Sequence, residues 1–122
     1  SYKDKFFGGG MKYDADFTKE FGYAPPYQAA ESSAALLVYK DAFERANSFD
    51  TKKVRDALAA TDMQTFYGNI KFAAGGQNVS KPMVLFQVSC NEDGSKCENK
   101  VVAPTKWASA KLVHPIPSWS ER

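Results

Sequence analysis

A chain of 122 residues with 43% hydrophobic and 25% charged residues has the size and composition of one ordinary globular domain, with room for a single hydrophobic core. The net charge is only +2, and Lys3, Lys5, Lys12 and Lys19 alternate with Asp4, Asp14, Asp16 and Glu20. They form no basic stripe of the kind that contacts phosphate backbones, which argues against nucleic acid as a partner. The longest apolar runs, such as Ala34–Tyr39 and Met83–Phe86, fall far below the ~20 residues of a membrane-spanning helix.

Residues 1–10 end in Gly8-Gly9-Gly10 and read as a loop. The triplet is not a phosphate-binding loop, because Met11-Lys12-Tyr13 supplies neither the Lys-Ser/Thr nor the third spaced glycine that such loops need. From Met11 to Phe21, Tyr13, Phe17 and Phe21 recur every fourth residue, which predicts a short amphipathic helix stopped by Gly22. Pro25-Pro26 then enforces an extended approach. The strongest helix runs from about Gln28 to Ala46, rich in Ala, Leu, Glu, Lys and Arg. Its expected apolar stripe is Ala35, Tyr39, Ala42 and Ala46, widened by Leu36 and Phe43, with Lys40/Glu44 and Asp41/Arg45 as i,i+4 pairs on the wet side. Asp50 or Thr51 caps a further helix, Lys52 to Ala60, with Val54, Ala57 and Leu58 on its apolar face.

After Met63 the pattern changes to strand and turn. Phe66 to Phe72 ends in alternation, Gly75-Gly76-Gln77-Asn78 is a turn, and Met83 to Val88 is a strand with Val84, Phe86 and Val88 on one face. Cys90 and Cys97 bracket the polar turn Asn91-Glu92-Asp93-Gly94-Ser95-Lys96, and Lys100 to Ala103 returns as the partner strand. We read the two cysteines as one disulfide stapling a hairpin tip, with a pair of free thiols as the alternative. So short a bridged loop contributes roughly 2–3 kcal/mol, and the bridge implies an oxidising compartment. The segment from Pro104 to Arg122, with Trp107, Val113 and Trp119, reads as an extended arm lying on a surface.

Catalytic machinery is missing from the pattern. His114 is the only histidine, so zinc is not expected, and no Gly-x-Ser-x-Gly elbow provides a nucleophile for it to activate. The protein is therefore read as a non-enzyme without a cofactor. Glu31 stands in a largely uncharged setting at the start of the long helix, either as a first-turn acid complementing the helix dipole or as a polar group facing a ligand cleft. Asn78-Val79-Ser80 fits a glycosylation tripeptide but is discounted as a chance match.

The succession Phe21-Gly22-Tyr23-Ala24-Pro25-Pro26-Tyr27-Gln28-Ala29-Ala30-Glu31, Asp41-Ala42-Phe43-Glu44-Arg45-Ala46-Asn47-Ser48, Arg55-Asp56-Ala57-Leu58, Thr65-Phe66-Tyr67-Gly68-Asn69-Ile70-Lys71-Phe72 and Gly76-Gln77-Asn78 resembles the C-terminal part of the branched-chain-amino-acid-type ABC transporter substrate-binding proteins, the type I periplasmic binding protein family. Val113-His114-Pro115-Ile116-Pro117-Ser118-Trp119 resembles the end of such proteins. The resemblance implies an α/β fold, the C-terminal portion of a two-lobed receptor, with helices packed on a mainly parallel sheet, plus a β-hairpin and an extended C-terminal arm. It implies one partial domain: a helical α/β part over 1–62, a strand and hairpin part with the cysteine loop over 63–103, and the arm over 104–122.

In function, the resemblance implies an extracytoplasmic solute-binding component of an ABC importer. It would hold an amino acid or related small carboxylate between two lobes and deliver it to membrane permease subunits, the closure being a population shift without chemistry. A ligand-sensing domain of a receptor or regulator with the same fold is the alternative. The location implied is periplasmic or extracellular. The family's ligand-facing loop falls on Tyr27 and Gln28, with Glu31 one turn on. With only the final part of such a receptor present, much of the cleft is expected to lie elsewhere. Apolar faces left uncovered should then draw a second copy into self-association.

Overall fold

In the computed structural model, which describes residues 3–80 and 83–118, the chain divides into a first unit, Ser1–Lys81, and a second, Pro82–Arg122. The division falls within the 63–103 stretch.

The first unit opens with a hairpin rather than the expected loop: strands β1 (Lys3–Asp4) and β2 (Gly8–Gly9) pair antiparallel. Its cause is the Asp4 side chain. Oδ1 accepts the N–H groups of Phe6 and Phe7 at 2.9 and 2.8 Å, turning the chain back on itself, while Oδ2 accepts the N–H of Phe66 at 2.7 Å. One carboxylate thus shapes a local turn and ties it to a segment far along the chain. The glycine triplet is not flexible punctuation, because Gly10 already begins helix α1 (Gly10–Phe21). That helix stops where expected: Gly22 adopts the left-handed conformation at φ 78° and donates its N–H to the Thr18 carbonyl at 2.8 Å, a conformation glycine enters without steric cost.

Helix α2 (Tyr27–Ala46) begins directly after Pro26 and ends at Asn47, itself left-handed at φ 43°. Helix α3 (Thr51–Ala59) is capped by Asp50, whose carboxylate accepts the Lys53 N–H at 3.0 Å, satisfying one of the donors that a helix start leaves open. Arg45, near the end of α2, holds the far end of α3. Its guanidinium donates to the Ala57 carbonyl at 2.8 Å and to Thr61 Oγ1 at 3.1 Å, while pairing with Asp41 at 2.7 Å.

Strands β3 (Asp62–Thr65) and β4 (Gly68–Lys71) form an antiparallel hairpin. Its turn is organised by fully buried Thr65, whose hydroxyl donates to the Gly68 carbonyl at 2.8 Å and accepts the Tyr67 N–H at 3.2 Å. Gly68 sits at φ 130°, a backbone conformation that L side chains rarely adopt.

The core of this unit joins Tyr13, Ala34, Leu37, Val38, Phe66 and Ile70. Tyr13 stacks on Phe66 with ring centroids 4.3 Å apart, and Phe7 packs edge-on to both at 5.3 and 5.0 Å. The Tyr13 hydroxyl meets Ser33 Oγ at 3.0 Å, which gives its polar end a partner, as buried tyrosines require.

The α2 stripe differs from the expectation. The buried positions are Ala34, Leu37, Val38 and Ala42, whereas Ala35, Leu36, Tyr39 and Phe43 are exposed within the chain. The core face is turned by about one residue, ~100° on a helix, relative to the Ala35–Tyr39–Ala42–Ala46 line. The helix is apolar through both faces, so periodicity alone does not choose between them. On α3 the expected face holds, with Val54 buried and Ala57 and Leu58 partly buried.

The second unit is a hairpin of β5 (Leu85–Cys90) and β6 (Cys97–Ala103), antiparallel, with Cys90 opposite Cys97 in register and joined by a disulfide. The intervening turn is held by Asp93, which accepts from the Ser95 N–H and hydroxyl at 2.9 and 2.7 Å. These bonds hold the Asp93 carboxyl below its usual range, the Ser95 hydroxyl being the largest cause. After a short 3-10 turn at Thr105–Trp107, the chain runs back along the hairpin. Gln87 clamps Val113 through two bonds, Nε2 to the Val113 carbonyl at 3.0 Å and the Val113 N–H to Oε1 at 2.9 Å. The expected arm is therefore tied to β5 at Val113; Trp119 lies outside the described residues.

Every strand pair among the described residues is antiparallel, so the mainly parallel sheet implied by the resemblance is not found there. The reason is connection length. Parallel neighbours need a crossover of about a dozen residues or more, and each of these strands is joined to its partner by a short turn.

Candidate functional site

A groove of about 470 Å³ opens in the first unit between α2, α3, β4 and the loop after it, within the ~300–1,000 Å³ usual for small-molecule sites. Ala34, Val38, Leu58, Ile70 and Phe72 give it apolar walls, and Glu31, Tyr67, Arg55 and Asn78 place polar groups around them.

Glu31 and Tyr67 meet across 36 residues of sequence: the Tyr67 hydroxyl donates to Glu31 Oε1 at 2.9 Å. Burial and the adjacent carboxylate push the Tyr67 phenol up to about 12, burial being the largest cause, followed by the hydrogen bond and charge of Glu31, with a small contribution from Tyr27. Tyr67 is placed by the β3–β4 turn that Thr65 and Gly68 build, and Glu31 by α2. Glu31 lies beyond the first turn of that helix, which contains no acid. The dipole effect falls off within that turn, so its interaction with Tyr67 is the stronger account of its position.

Arg55 carries the only cationic side chain lining the groove among the described residues and donates through Nε to neighbouring Asp56 at 3.0 Å. Asn78 shapes the wall through its side-chain oxygen, which accepts the Lys71 and Ser80 N–H groups at 3.2 and 3.1 Å. The Asn78-Val79-Ser80 tripeptide thus builds a turn. Tyr27 and Gln28 stand one turn before Glu31, both exposed, and neither lines the groove. Tyr27 does not pack down after the prolines; it is 67% exposed.

Of the residues expected from sequence, the structure brings Glu31 into the groove and leaves Tyr27 and Gln28 at its approach. Tyr67, Arg55 and Asn78 were not anticipated as site residues. Tyr67 carried one readable sign, an aromatic with a polar handle beside a glycine in a hairpin turn, but no spacing rule connects it to Glu31. Among the described residues no group of three or more His, Cys, Asp or Glu is positioned to hold a metal ion. No described helix is long and apolar enough to cross a membrane.

Comparison with protein families matches residues 7–96 to the periplasmic binding protein model. The match runs from the Asp4-organised turn through all three helices and both later hairpins' turns, so it covers the groove and the Tyr27–Gln28 approach together. Family membership and the disulfide are consistent with an extracytoplasmic location. Covering well over half of the chain, the match establishes that this protein belongs to the periplasmic binding protein family, in its type I branch.

Proposed function

We propose that the protein is the solute-binding component of an ABC importer, acting outside the cytoplasm as the C-terminal part of a two-lobed receptor that passes its ligand to membrane permease subunits. The observation that carries this reading is the family match over residues 7–96, since the family's role is solute binding. The ligand class is an amino acid or related small carboxylate. Tyr27 and Gln28 are the ligand-facing residues, Tyr27 offering an aromatic face and Gln28 amide hydrogen bonds, and Glu31 is the polar group one turn behind them. Their exposure at the start of α2 supports this assignment, because side chains consumed by packing have no face left for a ligand. No proton transfer or covalent step is required: closure over the ligand follows from its preferential binding to the closed state.

A thermal-shift screen of the full-length gene product against amino acids, small carboxylates and aromatic acids tests the proposal. A true ligand at about 100 times its Kd stabilises the fold by ~2.7 kcal/mol, which is readily seen as a raised Tm. A flat response to every class overturns the binding role. A response unchanged by Tyr27→Ala and Gln28→Ala overturns the residue assignment.

A further inference from the structure

The groove carries a negative charge that no ion pair among the described residues neutralises. Helix α2 presents Glu31, Ala34, Ala35, Val38 and Tyr39 to it at i, i+3, i+4, i+7 and i+8, which is a single helical face. Small side chains make the recess: Ala34 and Ala35 on the helix, and Ala73 and Ala74 in the loop after β4. The rings of Tyr39, Tyr67 and Phe72 line it.

Charge selects what such a recess holds. Glu31 Oε1 accepts the Tyr67 hydroxyl at 2.9 Å, and a carboxylate offers about four lone-pair sites, so this bond orients the group and leaves it able to accept again. Glu31 takes part in none of the ion pairs among the described residues. Arg55, the groove's cationic side chain, is already paired with Asp56, through Nε at 3.0 Å and through a second guanidinium nitrogen. Burial first, and then the bond and charge of Glu31, push the Tyr67 phenol up to about 12. At neutral pH the hydroxyl therefore keeps its proton and adds no charge of its own. An anion entering the groove would meet the Glu31 carboxylate. An ammonium ion would gain a charge-assisted hydrogen bond there, and aromatic faces nearby attract cations.

We propose that the groove is a binding site for a small organic ammonium ion with an apolar body, the ammonium donating to Glu31 and the body lying against Val38, Leu58 and Phe72. The site goes beyond the solute-binding reading, with which it shares Glu31 but neither Tyr27 nor Gln28. It asks for a positive charge on the ligand and no carboxylate.

Isothermal titration calorimetry at neutral pH with phenethylammonium, run on the chain and on the full-length gene product, provides the test. The expected result is binding to both, with phenylpropanoate, the same body carrying the opposite charge, weaker by about ten-fold or more. Glu31→Gln should weaken phenethylammonium about ten-fold with helix content unchanged by circular dichroism. Ala35→Phe, which fills the recess from an exposed position, should abolish binding while leaving Glu31 in place. A preference for phenylpropanoate, or affinity unchanged in Glu31→Gln, overturns the proposal. So does binding to the chain that disappears in the full-length product, because the rest of the receptor then occupies the groove. Phenethylammonium bound by a protein that answers no amino acid or carboxylate supports this site while overturning the solute-binding reading; amino acids or carboxylates bound without phenethylammonium overturn this site alone.

Discussion

Replacing Glu31 tests whether the groove's polar edge is built as described. Tyr67 holds its proton up to about 12, against 10.0 for an unperturbed tyrosine, first because it is partly buried and second because it donates to the Glu31 carboxylate and feels its charge. The two causes separate by substitution. Glu31→Gln keeps an acceptor oxygen near the phenol but removes the charge; Glu31→Ala removes both. Each should lower the titration of Tyr67, Ala more than Gln, yet leave it above the ordinary value of 10.0, because burial, the larger cause, persists. Ultraviolet titration of the phenolates measures this directly: among six tyrosines, one late class should ionise near 12 and move down in the variants. A phenol whose folded pKa is raised is more strongly protonated in the folded state, so its contribution to stability is full below the unfolded value near 10. That contribution is lost as pH rises from about 10 through about 12. Urea unfolding across that window should show stability falling with pH, less steeply in Glu31→Ala. A single tyrosine class titrating near 10, or a late class unmoved by Glu31→Ala, refutes the account of the groove edge.

Other expectations concern the supports of the site. Asp4→Ala removes the acceptor of three backbone N–H groups at 2.7–2.9 Å and should cost about 2–4 kcal/mol in urea unfolding; amide exchange at Phe66 should quicken most. Arg45→Met keeps much of the side-chain stem but frees the Ala57 carbonyl and Thr61 hydroxyl, for an expected loss of about 1–2 kcal/mol, seen as earlier melting of α3. Reducing Cys90–Cys97, or replacing both with Ser, should destabilise the second unit by roughly 2–3 kcal/mol, seen as a lower unfolding midpoint followed by tryptophan fluorescence.

Local chemistry made much of this chain readable in advance. Tyr13, Phe17 and Phe21 at four-residue spacing with Gly22 behind them marked α1, because a helix repeats every 3.6 residues and glycine alone ends it in the left-handed conformation without cost. Asp50 and Thr51 together marked the start of α3, because only a short polar side chain reaches back to an open N–H; the structure gives the role to Asp50. The polar turn between Cys90 and Cys97 marked a stapled hairpin because strand signals on both sides leave the chain no other path. The glycine triplet misled. Nothing near it in sequence reveals that Asp4 folds it back, since part of what anchors Asp4 is the N–H of Phe66.

What the sequence by itself determined, then, is the three helices, the disulfide hairpin and a family likeness carried by motifs in succession. These depend on neighbours a few residues apart. Tertiary structure alone decided which side of α2 faces inward, that β1 and β2 pair as a hairpin, and that Glu31 meets Tyr67 in the groove. A helix apolar on both sides has two equally good buried faces in isolation, and the choice between them is made by Tyr13 and Phe66 packing against Ala34, Leu37 and Val38. A hydrogen bond between groups 36 residues apart has no periodicity to announce it. It exists because α2 and the β3–β4 turn are brought to the same place by the core beneath them.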